Sequence, residues 1–113
     1  MNDLGQTYWK LQRPQEAIEL YLKARREGMP DAKPELIEWH YRLGWAYFDV
    51  RDYDKAVEHY REVALYGEKY AAASYYNIAC ALAQKLKAGG SSDLAEDAVR
   101  NLREAWRLTA EEE

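Results

Sequence analysis

The chain contains few of the residues that interrupt helices or cross-link secreted domains. Its 113 residues include one cysteine, three prolines and six glycines. A single cysteine excludes an internal disulfide framework and is typical of a reducing compartment. No apolar stretch approaches the roughly 18 residues of a membrane span, and the polar N-terminus does not resemble a signal sequence. We therefore expect an all-helical protein with a cytoplasmic location and no membrane partner.

The charges are interspersed, and no segment is strongly basic. The formal net charge is −4. Without a basic patch, binding to a nucleic-acid backbone is not expected. The terminal Glu111-Glu112-Glu113 is a run of like charge, which a solvated helix end explains better than a docking tail.

The most informative feature that is present is an internal repeat. The two clearest copies are Leu4-Gly5-x-x-Tyr8 … Ala17-x-x-x-Tyr21 and Leu43-Gly44-x-x-Tyr47 … Ala56-x-x-x-Tyr60. A weaker third copy is Ile78-Ala79-x-x-Leu82 … Ala98-x-x-x-Leu102. Each copy is one supersecondary unit that cannot bury its apolar face alone, so the copies are expected to stack. Stacked units form extended surfaces that bind other chains.

Apolar periodicity and turn residues predict six helices. They cover residues 1–11, 14–27, 34 to the turn at 51–52, 53–65, 69 to the break at 89–92, and 93 to beyond 106. Asp52 is predicted to cap the fourth helix. The recurring small residues predict close helix contacts, with Gly5 and Gly44 facing Ala17 and Ala56 across their hairpins.

The repeated sequence motif resembles that of the tetratricopeptide repeat family. Its motif Trp-x2-Leu-Gly-x2-Tyr … Ala-x3-Phe/Tyr-x2-Ala … Pro is similar to both clear copies, and residues 52–56 resemble its inter-helix turn, with Arg51 in place of Gly. Met1 stands where the family has its first Trp, and Trp39 lies one residue early. The resemblance implies a single domain over residues 1–113. Its fold would be an all-α right-handed superhelix (an α-solenoid) of three antiparallel helical hairpins, with repeats at about 1–30, 35–67 and 69–110.

In this family the first helix of each repeat lines a concave groove that receives a peptide or a helix of a partner. The resemblance therefore implies a peptide-binding groove and an adaptor or scaffold function. The predicted contact residues are Trp9, Tyr41, Arg42, Trp45, Phe48, Tyr76 and Asn77.

Three of these residues form what we call the aromatic row, Tyr41, Trp45 and Phe48. They lie at i, i+4 and i+7, on one stripe of a helix. Large aromatic anchors of this kind are typical of binding hot spots. The alternative is that neighbouring repeats bury the row as core, and the sequence leaves both possibilities open.

The groove positions lack the residues that would bind an acidic peptide terminus, and this absence indicates the type of partner. Some family members bind acidic chaperone C-termini through a carboxylate clamp of Lys, Asn, Asn, Lys and Arg. Here Asn2, Gln6, Ala73 and Asn77 occupy four of those positions, so the clamp is absent. An apolar or amphipathic segment fits the remaining aromatic, mixed-charge surface better.

No pattern predicts catalysis, a cofactor or a metal site. Cys80 lies between Ala79 and Ala81, which favours a small buried side chain over a nucleophile. His40 and His59 lie on different helices without metal-ligand spacing, which favours packing at or near the surface. The sequence therefore predicts that the protein is not an enzyme.

A structural role is the second function that we consider. Terminal repeats normally need a polar outer face. No polar capping helix follows the last predicted helix in this sequence. Leu94, Leu102 and Trp106 are therefore predicted to support self-association as a homo-oligomer, or to contact another part of a larger repeat scaffold.

Overall fold

The computed structural model describes residues 13–29, 32–67 and 69–112, and these residues form five α-helices with no strand among them. The helices are α1 (Pro14–Arg26), α2 (Lys33–Asp49), α3 (Tyr53–Tyr66), α4 (Ala71–Lys87) and α5 (Asp93–Glu112). The all-helical prediction is confirmed, with boundaries within about two residues of those predicted. The predicted first helix, including Gly5 and Trp9, lies outside the described residues.

The helix starts follow the sequence signals. Pro14 and Pro34 both lie in the first turn of their helices, where a missing backbone N–H costs nothing. Asp52 caps α3 as predicted, because its side chain accepts a hydrogen bond from the backbone N–H of Lys55 at 3.3 Å.

Four of the described helices end at a residue with left-handed backbone, and one of these residues is not a glycine. Gly67 ends α3 with φ of 66°. Gly28 and Gly89 end α1 and α4 with φ of 93° and 104°, and Arg51 ends α2 with φ of 65°. After Gly28, Arg51 and Gly89 the next backbone N–H donates back across the last turn, as Asp52 does to the carbonyl of Tyr47 at 2.9 Å. Arg51 therefore occupies a conformation that disfavours a side chain with a Cβ.

Each helix packs on the next, and the repeat residues form the core. Leu43, Ala17 and Ala56 are fully buried. The tight contact predicted for Gly44 is present, but the ring of Tyr60 makes it. A Cβ at Gly44 would lie 2.9 Å from Cε1 of Tyr60. Tyr60 is itself 1% exposed, so glycine is required there by the ring rather than by Ala56.

Trp39 explains how α2 is attached to α1. The indole is buried, and its Nε1–H donates to the backbone carbonyl of Tyr21 at 2.8 Å. The guanidinium of Arg25 lies 5.9 Å from the centre of the Trp39 ring. A tryptophan one residue early in the repeat thus still joins the two helices.

None of the helices among the described residues is long and apolar enough to cross a membrane.

Candidate functional site

The aromatic row lies along α2 and is half-buried. All three side chains pack against the core cluster while keeping part of their surface exposed. Tyr41 is the most constrained of them. Its ring stacks on Tyr70 with centroids 4.1 Å apart and planes 6° from parallel, and it meets Tyr60 edge-on at 6.0 Å.

The two other rings of the row also have aromatic neighbours. Trp45 meets Tyr41 edge-on, with centroids 6.5 Å apart. Phe48 meets Tyr53 edge-on at 5.3 Å, which links α2 to the start of α3. The rings are therefore fixed in position by contacts within the chain, and one side of the row is core.

Tyr70, which stacks on Tyr41, lies in the turn before α4 and has an unusual backbone conformation. Its φ is 71°, which is uncommon for a residue other than glycine. Its hydroxyl donates to Oε1 of Glu38 at 3.3 Å, and the ammonium of Lys69 lies 4.8 Å from its ring centre. Such strain persists only where surrounding contacts hold it, and it is concentrated at functional sites.

A carboxylate and a guanidinium beside the aromatic row retain unused bonding capacity. Glu38 and Arg42 lie one helical turn apart on α2, and Oε1 of Glu38 is 3.5 Å from Nη2 of Arg42. The second carboxylate oxygen of Glu38 and Nε of Arg42 are buried without a hydrogen-bond partner in the described part of the chain. Such groups are costly unless something pairs with them.

Of the two predicted contact residues on α4, Tyr76 is the more accessible. Tyr76 is 55% exposed, whereas Asn77 is half-buried. Cys80 is half-buried as a free thiol, so it is less enclosed than the small-residue context suggested. Trp9, the remaining predicted contact residue, lies outside the described residues.

An open recess extends the aromatic row toward α4. Its volume is about 560 Å³, and its lining comes from the ends of α2 and α4 and the start of α3. The lining residues are Phe48, Asp49, Arg51, Tyr53, Gln84, Lys87 and Ala88. One aromatic wall and charges of both signs suit a segment with an apolar side and a polar side.

The two histidines are half-buried as predicted, but their contact with each other was not predicted. Their Nδ1 atoms lie 3.0 Å apart, and Trp39 and Tyr47 pack against the rings. Burial lowers the pKa of His40. Burial, the neighbouring His40 and Lys55 lower the pKa of His59 to about 4. No group of three or more potential metal ligands lies within the described ranges.

The residues predicted for self-association divide between two sides of α5. Leu94 packs against the core cluster, so it does not lie on the exposed side. Leu102 and Trp106 are 44% and 79% exposed. Val99, which sequence reasoning missed, is 46% exposed beside them. Its spacing of three residues from Leu102 is the signal that could have identified it.

Comparison with known proteins identifies the repeats. Two family models, both described as tetratricopeptide repeat, match residues 1–64 and residues 41–107. A search of curated proteins finds no match. The matched ranges cover both clear copies of the repeated motif. The chain therefore belongs to the tetratricopeptide repeat family.

Proposed function

We propose that this chain is a non-catalytic protein–protein interaction module that binds an apolar or amphipathic segment along α2 and α4. Tetratricopeptide repeats generally mediate interactions between proteins. The observation that carries the proposal is the aromatic row, whose rings are half-buried in fixed positions beside an open recess. Rings that are already ordered lose little conformational freedom when a partner covers them.

The charges around the aromatic row favour an amphipathic occupant over a purely apolar one. Asp49 lies beside Arg51 and Lys87 in the recess, and the Glu38–Arg42 pair lies further along α2. A bound segment with donors and acceptors along one side could pair with these groups, while its apolar side covers the rings. The proposed contact residues are those predicted above, and Tyr76 is the most accessible of those that the structure describes.

Selection of binders from a display library of random peptides tests the proposal. Affinity for the selected peptides is then measured by fluorescence anisotropy in three proteins: wild type, Tyr76→Ala and Leu65→Ala. Leu65 is the matched control, because it is 78% exposed on α3 and so also leaves the core intact. We expect amphipathic peptides whose affinity falls roughly tenfold or more in Tyr76→Ala and not in Leu65→Ala.

A second variant is needed because Tyr76 alone could contribute little to binding even if the rest of the aromatic row binds the peptide. Trp45→Ala removes the central ring of the aromatic row, and circular dichroism reports whether the helices persist. Peptides that bind wild type, Tyr76→Ala and folded Trp45→Ala equally would place binding elsewhere and contradict the proposal. Selected peptides without apolar residues would contradict it as well.

A further inference from the structure

The exposed side of α5 carries an apolar row that the proposed groove does not use. Ala95, Val99, Leu102 and Trp106 follow one another at spacings of four, three and four residues. We call these four residues the outer row. Val99, Leu102 and Trp106 are 46%, 44% and 79% exposed, whereas Ala105 on the other side of the helix is buried. Alternating spacings of four and three are the seam of a helix that packs against another helix.

Two of the charged residues beside the outer row form no ion pair within the described part of the chain, whereas their neighbours on α5 do. Asp97 pairs with Arg100 at 3.1 Å, and Glu104 pairs with Arg107, each within α5. Glu96 and Arg103 lie next to the outer row, both are exposed, and neither forms an ion pair within the described part of the chain. They stand seven residues apart, which is two helical turns, with opposite signs.

These features are complementary to a second copy of the same helix running the opposite way. With the two-fold axis level with residues 100 and 101, Val99 of one copy faces Leu102 of the other, and Ala95 faces Trp106. The smallest residue of the outer row thus meets the largest, twice by symmetry. In the same alignment Glu96 lies on the same flank as Arg103 of the other copy, also twice. The two residues are offset by about 3 Å along the helix axis, which their long side chains can span.

The surface around Ala95 has room for the indole that this alignment brings to it. An open recess of about 360 Å³ lies there, lined by Ala95, Glu96, Val99, Arg100 and Arg103. The two-fold alignment brings the partner's Trp106 level with Ala95, which lines this recess. A pocket that receives an exposed tryptophan is the usual form of an interface hot spot.

We propose that the outer row binds a second copy of this chain in an antiparallel two-fold pair of α5 helices. A two-fold contact requires a surface that is complementary to itself, and apolar size and charge both meet that requirement here. One pair of helices makes a small interface, so association is expected at micromolar rather than nanomolar concentration. The proposal does not depend on the groove, whose residues lie on other helices.

Sedimentation equilibrium over about 1 µM to 1 mM tests the association. We expect a reversible rise from the 13.2 kDa of one chain toward twice that mass. Trp106→Glu should remain monomeric throughout, because it places a carboxylate in the partner's recess. Leu65→Glu is the matched control and should associate like wild type, since Leu65 is 78% exposed on α3. A wild type that is monomeric over the whole range overturns the proposal, as does a Trp106→Glu variant that still dimerises.

Charge exchange tests the alignment itself. Glu96→Arg and Arg103→Glu each create two like-charged contacts per dimer, so each should weaken self-association roughly tenfold. Mixing the two variants should form a heterodimer tighter than either homodimer, and the double variant should regain wild-type affinity. A mixture no tighter than the separate variants overturns the antiparallel alignment. Circular dichroism of all variants should be unchanged, because every substituted side chain is exposed.

Discussion

The contact between the two histidines should make the stability of the fold depend on pH. His40 on α2 and His59 on α3 meet at 3.0 Å through their Nδ1 atoms, so one nitrogen donates and the other accepts. When both rings are protonated, both nitrogens become donors and the hydrogen bond is lost. The flanking charges are mixed. Arg25 from α1 and Lys55 of α3 oppose protonation, while Glu62 favours it.

The magnitude follows from the pKa of His59. It falls from 6.5 to about 4 on folding, mainly through burial. The unfolded chain therefore takes up the proton first as the pH is lowered. This contribution to the free energy of unfolding is present in full above about pH 6.5. It declines as the pH falls from 6.5 to 4 and is lost below about pH 4. Because a tenfold difference in proton affinity corresponds to about 1.4 kcal/mol, lowering the pH from 7 to 5 should remove about 2 kcal/mol.

Urea unfolding followed by circular dichroism measures this loss. The free energy of unfolding is determined at several pH values between about 7 and 5, where most carboxylates stay ionised. The control is His40→Gln/His59→Gln, whose stability should change little over that interval, whatever its starting value. Parallel declines in wild type and control would show that other groups cause the dependence and would refute the reasoning. The chain has two histidines, so an NMR titration can observe each directly.

Two further substitutions test the turn after α2 and the close contact within the α2–α3 hairpin, both by thermal and urea unfolding. Arg51→Gly should stabilise the fold by about 1 kcal/mol, because glycine adopts the φ of 65° without the Cβ penalty. A lower melting temperature in that variant would mean that the arginine side chain contributes more than its backbone costs. Gly44→Val should destabilise the fold by about 2 kcal/mol or more, because its Cβ would lie 2.9 Å from the buried ring of Tyr60. Unchanged stability would show that the ring can move aside.

The fold was predictable because its signals are local. Turn residues and caps determine where each helix starts and stops, and Asp52 could be assigned as a cap from its position alone. Repetition then identified the buried positions, since Leu43 and Ala56 recur at fixed spacing and are fully buried. Neither inference requires knowledge of how two helices cross.

Contacts between helices could not be predicted in the same way. The Trp39 bond to the carbonyl of Tyr21 and the His40–His59 contact depend on crossing angles and side-chain rotamers. Sequence spacing determines which face a residue occupies, but it does not determine which atom it meets on the next helix. Leu94 illustrates the limit, since the sequence predicts it beside Leu102 on an exposed surface and the structure places it against the core.

The aromatic row was predicted to be either a binding surface or buried core. In the structure, one side of the row is core and the other is exposed, so the two alternatives do not compete. Tyr41 stacks on Tyr70 and contacts Tyr60, so its loss would remove core packing as well as any binding surface. A variant of Tyr41 therefore cannot separate stability from recognition. Tyr76 is 55% exposed, so its removal tests recognition with little effect on the core. The same contacts that make part of the row core also hold its exposed edges in place, which reduces the entropic cost of binding a partner there.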